Sequence, residues 1–230
     1  MKISDLSWTV ALLATMPALW AGAAELGDGF SGPAEWVTLV VYPPVADELE
    51  MTDLQRQGAK RISESFRESL RAHYREVPGG SLEERVKRDV LDAASRSRAN
   101  QQIAASLEPG QLTRLKQISW QVLGAESLFD PEVSKAVQLT SDQQERLAAA
   151  RKQNEAERRE MSEKMQQIRL TPEGLRQFKA KYAKSAEGRL TAVLTAAQRD
   201  TFQQLLGEPS RALKAADGRH HSPEPPRGKP

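Results

Sequence analysis

The stretches Leu139-Thr-Ser-Asp-Gln143 and Leu194-Thr-Ala-Ala-Gln198 share one five-residue pattern, which recurs more weakly as Met51-Thr-Asp-Leu-Gln55 and Leu107-Glu-Pro-Gly-Gln111. A threonine N-cap and a glutamine three residues later can each accept the other's backbone N–H, which makes a capping box. Each copy therefore predicts the start of a helix. We regard these motif residues primarily as helix-capping residues and secondarily as candidates for function. They are Met51, Thr52, Gln55, Leu107, Gln111, Leu139, Thr140, Gln143, Leu194, Thr195 and Gln198.

The spacing of the four copies predicts an internal duplication. Thr52 and Gln55 recur as Thr140 and Gln143 at an offset of 88. Within each half the copies start at similar intervals, 56 residues (51 to 107) and 55 residues (139 to 194). We predict an all-α fold of antiparallel helical hairpins, or a bundle, built from two similar three-helix halves at residues 45–125 and 126–207.

Apolar residues spaced by four along the first two long helices predict their buried faces. Ser81 with Glu84 forms a further capping box that opens the second helix, after a stop at Pro78-Gly79-Gly80. The residues expected to face inward are Leu54, Ile62, Phe66, Leu70 and Tyr74 on the first helix, and Leu82, Val86, Val90, Ala94 and Ile103 on the second.

The N-terminal part of the chain has a different composition. An apolar run from Trp8 to Trp20, followed by Ala21-Gly22-Ala23, predicts a secretory signal peptide over residues 1–23, the alternative being an uncleaved anchor. After cleavage we expect no stable membrane span. Residues 24–44 are predicted to be a linker that contains a short extended segment, because Trp36 to Tyr42 is rich in β-prone residues.

Two other stretches are mainly polar. Residues 208–230 are rich in Pro and charge, which predicts a disordered C-terminal tail. Residues 151–160 contain one apolar residue, Ala156, so most sides of this part of a long helix are expected to be exposed to solvent. It is either a projecting arm that meets a partner or a helix held by its own ion pairs.

Charge and composition exclude several classes of protein. The chain has 33 Lys and Arg against 31 Asp and Glu, and the two signs interleave along the helices, so we expect no nucleic-acid partner. It has no cysteine, which excludes disulfides and thiolate metal sites. With 39% hydrophobic residues it can bury a modest core.

The sequence offers no motif for chemistry. Gly27 to Gly32 matches G-x-G-x-x-G in letters, but it follows no strand and opens no helix, so a nucleotide site is not expected. The three histidines, His73, His220 and His221, lack metal-ligand spacing, and there is no G-x-S-x-G or Walker-type loop. We predict no catalytic residue, no metal site and no cofactor, and therefore a protein that is not an enzyme.

The Leu139-to-Gln143 and Leu194-to-Gln198 motifs, in an exported, cysteine-free helical chain, resemble the LTxxQ family of Spy and CpxP. The match covers about residues 45–207. Met51 stands in place of the leucine and Glu108 in place of the threonine in the first-half copies. The resemblance implies a small periplasmic helical protein, either an ATP-independent chaperone or an envelope-stress inhibitor, and relatives related to ZraP bind zinc. The chain also resembles repeat-bearing exported proteins of planctomycete type.

Three functions remain open at this point. The first is a chaperone or adaptor that binds apolar segments of protein clients, or an envelope sensor protein, without a nucleotide. The second is a metal- or stress-responsive sensor, and the third is a structural envelope protein without a client. Four motifs in one chain, where the family carries two, suggest two fused units, so we expect either a monomer with pseudo-twofold halves or a homodimer.

Overall fold

The computed structural model describes residues 36–167 and 171–214. All regular structure in these ranges is helical, which confirms the all-α prediction. No helix in the described ranges is both long and apolar enough to cross a membrane. The predicted signal peptide, the first part of the predicted linker and the chain beyond residue 214 lie outside the described residues.

The described residues fall into two compact units, with the boundary between Ser119 and Trp120. The first unit comprises residues 36–119 and 209–214, and the second comprises residues 120–167 and 171–208. The helices of the first unit are α1 (Trp36–Leu39), α2 (Pro43–Glu48), α3 (Asp53–Glu76), α4 (Leu82–Ser106) and α5 (Pro109–Leu123), the last of which runs across the boundary.

The second unit repeats the order of short and long helices. A 3₁₀ helix (Gly124–Phe129) precedes α6 (Pro131–Ala136), α7 (Ser141–Gln167), α8 (Pro172–Thr191) and α9 (Ala196–Leu206). Asp130 caps α6 and Thr171 caps α8 through their side-chain oxygens. The core of this unit is apolar and includes Trp120, Leu128, Val133, Leu147, Leu190, Leu194 and Phe202.

The predicted extended segment at residues 36–42 is wrong. Trp36–Leu39 is helical, and the N–H of Val40 donates to the carbonyl of Trp36 at 2.9 Å. An extended segment needs a neighbouring strand to pair its N–H and C=O groups, and the described residues contain no strand. A helical turn pairs these groups locally and still buries Val37 and Leu39.

The predicted buried faces of α3 and α4 are partly wrong. Phe66 and Ile103 are buried, but Leu54 is 74% exposed and Tyr74 57% exposed. Residues four apart on a helix differ by about 40° around its axis, so a row with this spacing turns away from the core over several steps. Leu82, Val86 and Val90 on α4 are exposed for this reason.

The predicted tail begins later than residue 208. Residues 211–214 are helical, and Ser210, Ala212 and Leu213 are buried. The predicted boundary rested on the composition of residues 208–230 as a whole, which combines this short segment with the Pro-rich stretch that follows it. Residues 209–214 therefore belong to the first compact unit.

The turn that precedes the first motif has the same geometry as the turn that precedes the third. Glu50 has φ +53° and Gln138 has φ +56°, at the offset of 88. The N–H of Met51 donates to the carbonyl of Ala46 at 3.0 Å, and the N–H of Leu139 donates to that of Ser134 at 3.1 Å. Helices α2 and α6 thus each end in a Schellman turn, in which Glu50 and Gln138 are the left-handed residues.

We expect Glu50→Gly to raise the free energy of unfolding by about 0.5–1 kcal/mol, since glycine adopts the left-handed region without the steric cost of a Cβ. Glu64→Gly, at an exposed position inside α3, should instead lower the free energy by about 1 kcal/mol. Urea denaturation measures both changes. A loss of stability in Glu50→Gly equal to that in Glu64→Gly would contradict the expectation.

Candidate functional site

The motif residues lie where the capping pattern predicts. Thr52 and Thr195 are N-caps whose side-chain oxygens accept the N–H of Gln55 and Gln198 in complete capping boxes. Thr140 makes the same contact with Gln143, at 3.2 Å. Of the four residues that begin the motifs, Met51, Leu139 and Leu194 are buried and Leu107 is half-buried.

The structure also brings the glutamines together in pairs, which the sequence did not predict. In the second unit the Nε2 of Gln143 donates to the Oε1 of Gln198 at 2.6 Å, and the Nε2 of Gln198 donates back at 2.9 Å. The remaining hydrogen of each amide goes to a backbone carbonyl, that of Val193 for Gln143 and that of Gln138 for Gln198.

The first unit contains the same arrangement. The Nε2 of Gln55 donates to the Oε1 of Gln111 at 2.8 Å, and the Nε2 of Gln111 donates back at 3.3 Å. The amides also reach the carbonyls of Ser106 and Leu49. Glu108 has no hydroxyl, yet its backbone N–H still donates to Gln111. We call the two arrangements glutamine pairs: Gln55–Gln111 and Gln143–Gln198.

The pairing explains why each motif carries glutamine and not glutamate. An amide has two donor hydrogens and an oxygen that accepts two hydrogen bonds. In each pair the oxygen accepts the N–H of its own helix cap and one hydrogen of the partner amide. A carboxylate has no hydrogen to donate to the partner or to the backbone carbonyl. The glutamine pairs are thus structural joints that leave no amide group over for a ligand.

A second polar network holds residues 209–214. The side chain of Glu48 is 4% exposed and forms an ion pair with Arg114 at 2.6 Å. Its other oxygen accepts the hydroxyl of Ser210 at 2.7 Å and the N–H of Ala212 at 2.8 Å. Burial raises the pKa of Glu48, but the N–H of Ala212, the hydroxyl of Ser210 and the charge of Arg114 outweigh it, so the pKa is lowered.

The polar stretch at residues 151–160 is mostly exposed, as predicted, but it packs on α8. Asn154 is buried and donates to the carbonyl of Ala186 at 3.1 Å, while the hydroxyl of Tyr182 donates to the carbonyl of Asn154 at 2.5 Å. Arg189 binds Glu157 with two hydrogen bonds, which lower the pKa of that carboxyl. This stretch is therefore held in part by contacts with a helix of the same unit.

Sequence reasoning missed an exposed apolar row on α4. Leu82 is 72% exposed, Val86 54% and Val90 64%. We call these three residues the α4 stripe. The signal that could have found it is angular: Val86 and Ile103 are 17 residues apart and point about 100° apart around the helix, so both cannot face the same core.

In the described part of the chain no histidine belongs to a group of side chains that could bind a metal ion. His73 on α3 lies 2.7 Å from Asp92 on α4 and joins the two helices. Within residues 36–167 and 171–214 no three side chains of His, Cys, Asp or Glu lie together as metal ligands would. His220 and His221 lie outside the described residues.

The arrangement of the described residues offers structural joints and one exposed apolar row. Comparison with known proteins identifies no family: no family model matches the chain, and neither a curated protein nor a solved structure matches it.

Proposed function

We propose that this protein is a non-enzymatic, exported helical protein that binds apolar segments of client proteins without ATP, as a chaperone or as an adaptor to an envelope sensor. The observation that carries the proposal is the α4 stripe. Three large aliphatic side chains, spaced four residues apart, stay exposed on this helix. Contiguous exposed apolar surface of this kind marks interaction sites.

The chemistry of the stripe fits an apolar helix or extended segment of an unfolding protein. Side chains at i, i+4 and i+8 form a row on one helix face, which is how helical surfaces accept apolar anchors. The row lies on α4, which packs on α3 and α1, and the buried residues Ala99 and Ile103 lie on another face of this helix. A client can therefore occupy the stripe without displacing the core.

The two units support the proposal that the chain arose by duplication. Both contain a Schellman turn, a capped long helix and a glutamine pair, and the turns stand 88 residues apart. At the offset of 88 the stripe positions correspond to Leu170, Gly174 and Phe178, so a glycine interrupts the apolar row at its middle position in the second unit. In this proposal the second half retained only the glutamine pair, and the first half also acquired the client surface. The chain is then a monomer with pseudo-twofold halves or a homodimer.

The test is suppression of client aggregation by the chain, followed by light scattering without ATP. We expect Leu82→Ser to weaken protection, and the triple change Leu82→Ser, Val86→Ser and Val90→Ser to raise the amount of protein needed by about fivefold or more. These side chains are exposed, so the helical content, measured by circular dichroism, should not change.

The matched control is Leu54→Ser. Leu54 is 74% exposed and lies in the first turn of α3, much as Leu82 is 72% exposed and lies in the first turn of α4. Equal effects of the two single changes would overturn the assignment of client binding to the stripe. Protection that appears only with added zinc would instead favour the metal-responsive sensor.

A further inference from the structure

We propose that the α4 stripe pairs with the α4 stripe of a second copy of this chain, with the two helices antiparallel and a twofold axis passing beside Val86. The pairing goes beyond the proposed function, because it names a partner of defined direction and register. The two are linked, since a second copy and a client would compete for the same row. The exposed row and the charges on either side of it favour this partner.

The antiparallel direction lets the three stripe residues cover one another. Across a twofold axis, residues at equal distances before and after the centre face each other. Val86 then meets Val86 of the second copy, and Leu82 meets Val90 in both directions. All three side chains are exposed on the single chain, so the contact removes apolar surface from water without moving the buried core.

Two charged side chains of opposite sign lie on each side of the row. Around the axis of α4, Glu83 and Lys87 lie about 60° and 100° from Val86 in one direction. Asp89 and Arg85 lie at these same angles in the opposite direction. All four are exposed, and none of them has an ion-pair partner in the described part of the chain. Their charges are therefore available to a partner.

The order of these charges is self-complementary in the antiparallel pair, because each helix presents the same side to its copy. Glu83 of each copy lies beside Lys87 of the other, with an offset of about 3 Å along the axis. Arg85 lies beside Asp89 of the other copy with the same offset. Each Lys87 is nearer to Glu83 than to the other Lys87, because Lys87 points farther from the contact. Both sides of the row thus gain ion pairs between opposite charges.

Small residues next to the stripe leave room for the tip of the second copy. The turn Pro78-Gly79-Gly80 directly precedes α4, so in this register the turn of one copy lies opposite Ala93 of the other. Ala93 is exposed and falls within the arc of about 80° that the stripe spans around α4. Its side chain ends at Cβ, so the turn can approach without a clash.

Disulfide formation tests the register, since the chain has no cysteine of its own. Val86 lies beside the proposed axis, so Val86→Cys should link two copies through the same residue. Val90→Cys is the matched control, an exposed valine of the same row whose two copies would lie about 12 Å apart along the axis. We expect linked dimers to form about tenfold or more faster with Val86→Cys. Equal rates, or faster linking of Val90→Cys, would overturn the inference.

Two complementary variants test the charges. The acidic variant combines Arg85→Glu with Lys87→Glu, and the basic variant combines Glu83→Lys with Asp89→Lys. Each variant alone brings like charges together on both sides of the row, whereas an equimolar mixture brings opposite charges together. We expect the mixture to form one-to-one heterodimers about tenfold or more tighter than either homodimer. Sedimentation velocity over about 1–200 µM protein measures this, since a contact of this size is weak.

The control for net charge combines Glu64→Lys with Glu68→Lys, at two exposed positions of α3. It changes the net charge as the basic variant does and leaves the surroundings of the stripe intact, so it should dimerise as the parent does. Equal weakening in the control and in the basic variant would contradict the second-copy contact. A mixture of the acidic and basic variants that stays monomeric would contradict it as well.

The acidic variant separates this inference from the proposed function, because it keeps all three stripe residues. Its monomers leave the row open, so we expect client protection per chain at least equal to that of the parent. Heterodimers in the mixture, with no client protection by the parent or either variant, would uphold the second-copy contact and count against the client site. Protection that depends on the stripe, without heterodimers, would do the reverse.

Discussion

Gln143→Glu is expected to lower the free energy of unfolding by about 2–4 kcal/mol at neutral pH. Gln143 is 8% exposed, and its Nε2 donates to the carbonyl of Val193 and to the Oε1 of Gln198. A carboxylate cannot donate, so two oxygens would face each other at each of these contacts. The charge would also be removed from water without a cation to pair with it.

The loss in Gln143→Glu should depend on pH. A carboxyl group in this site has a folded pKa above its unfolded value of about 4.3, because burial and the facing oxygens disfavour the charge. Below the unfolded pKa the protonated group can donate one of the two hydrogen bonds again and carries no charge, so part of the loss disappears. As pH rises through the window between the two pKa values, the variant loses stability relative to the parent protein.

Urea denaturation at pH 4 and pH 7 measures this difference, and Gln144→Glu is the matched control. Gln144 is the next residue of α7 and is exposed, so the same charge enters the same helix turn in contact with water. We expect a change within about 0.5 kcal/mol there. Equal losses in the two variants, or a loss that does not depend on pH, would show that the glutamine pair is not the joint inferred here.

Glu48→Gln is expected to lower the free energy of unfolding of the first unit by about 2–3 kcal/mol at neutral pH. The change removes the negatively charged partner of Arg114. It also replaces one of the two carboxylate oxygens, which accept hydrogen bonds from the Arg114 guanidinium and from the Ser210 hydroxyl, with an NH₂ group that cannot accept. Residues 209–214 should detach first, because Glu48 accepts hydrogen bonds from both Ser210 and Ala212. Faster hydrogen exchange at the amides of Ala212 and Leu213 would report this detachment.

The pKa of Glu48 gives a second readout. Since the folded pKa is lowered, the stability that Glu48 contributes is fully present above its unfolded pKa of about 4.3 and is lost as pH falls through the folded pKa. The Glu48→Gln variant should lack this part of the acid destabilisation. Glu50→Gln, two residues away and exposed, is the control. An acid profile of Glu48→Gln that matches that of the parent would contradict the assignment.

The starts of the helices were predictable because capping is local. Thr52 and Gln55, or Ser81 and Glu84, make their reciprocal bonds within three residues, so the letters alone indicate the helix start. Local β-propensity, in contrast, gave a wrong prediction for Trp36 to Tyr42, because Trp36–Leu39 is helical. Whether such a run is extended depends on a partner strand elsewhere in the chain, which local propensity does not report.

The inward faces of the long helices were predictable over a few turns only. A spacing of four residues stays on one face for two or three steps and then turns away, so Leu54 and Phe66 point about 120° apart. The exposure of the α4 stripe followed from where α3 and α1 pack on α4. That packing is a property of the assembled unit.

The motif glutamines show where local information ends. That each belongs to a helix cap, and lies on the same side as neighbouring apolar residues, follows from positions three and four residues apart. That Gln143 bonds Gln198, and Gln55 bonds Gln111, required helices more than 50 residues apart in the chain to meet. Hydrogen bonds act over about 3 Å, so only the folded arrangement of the helices could select which amide pairs with which.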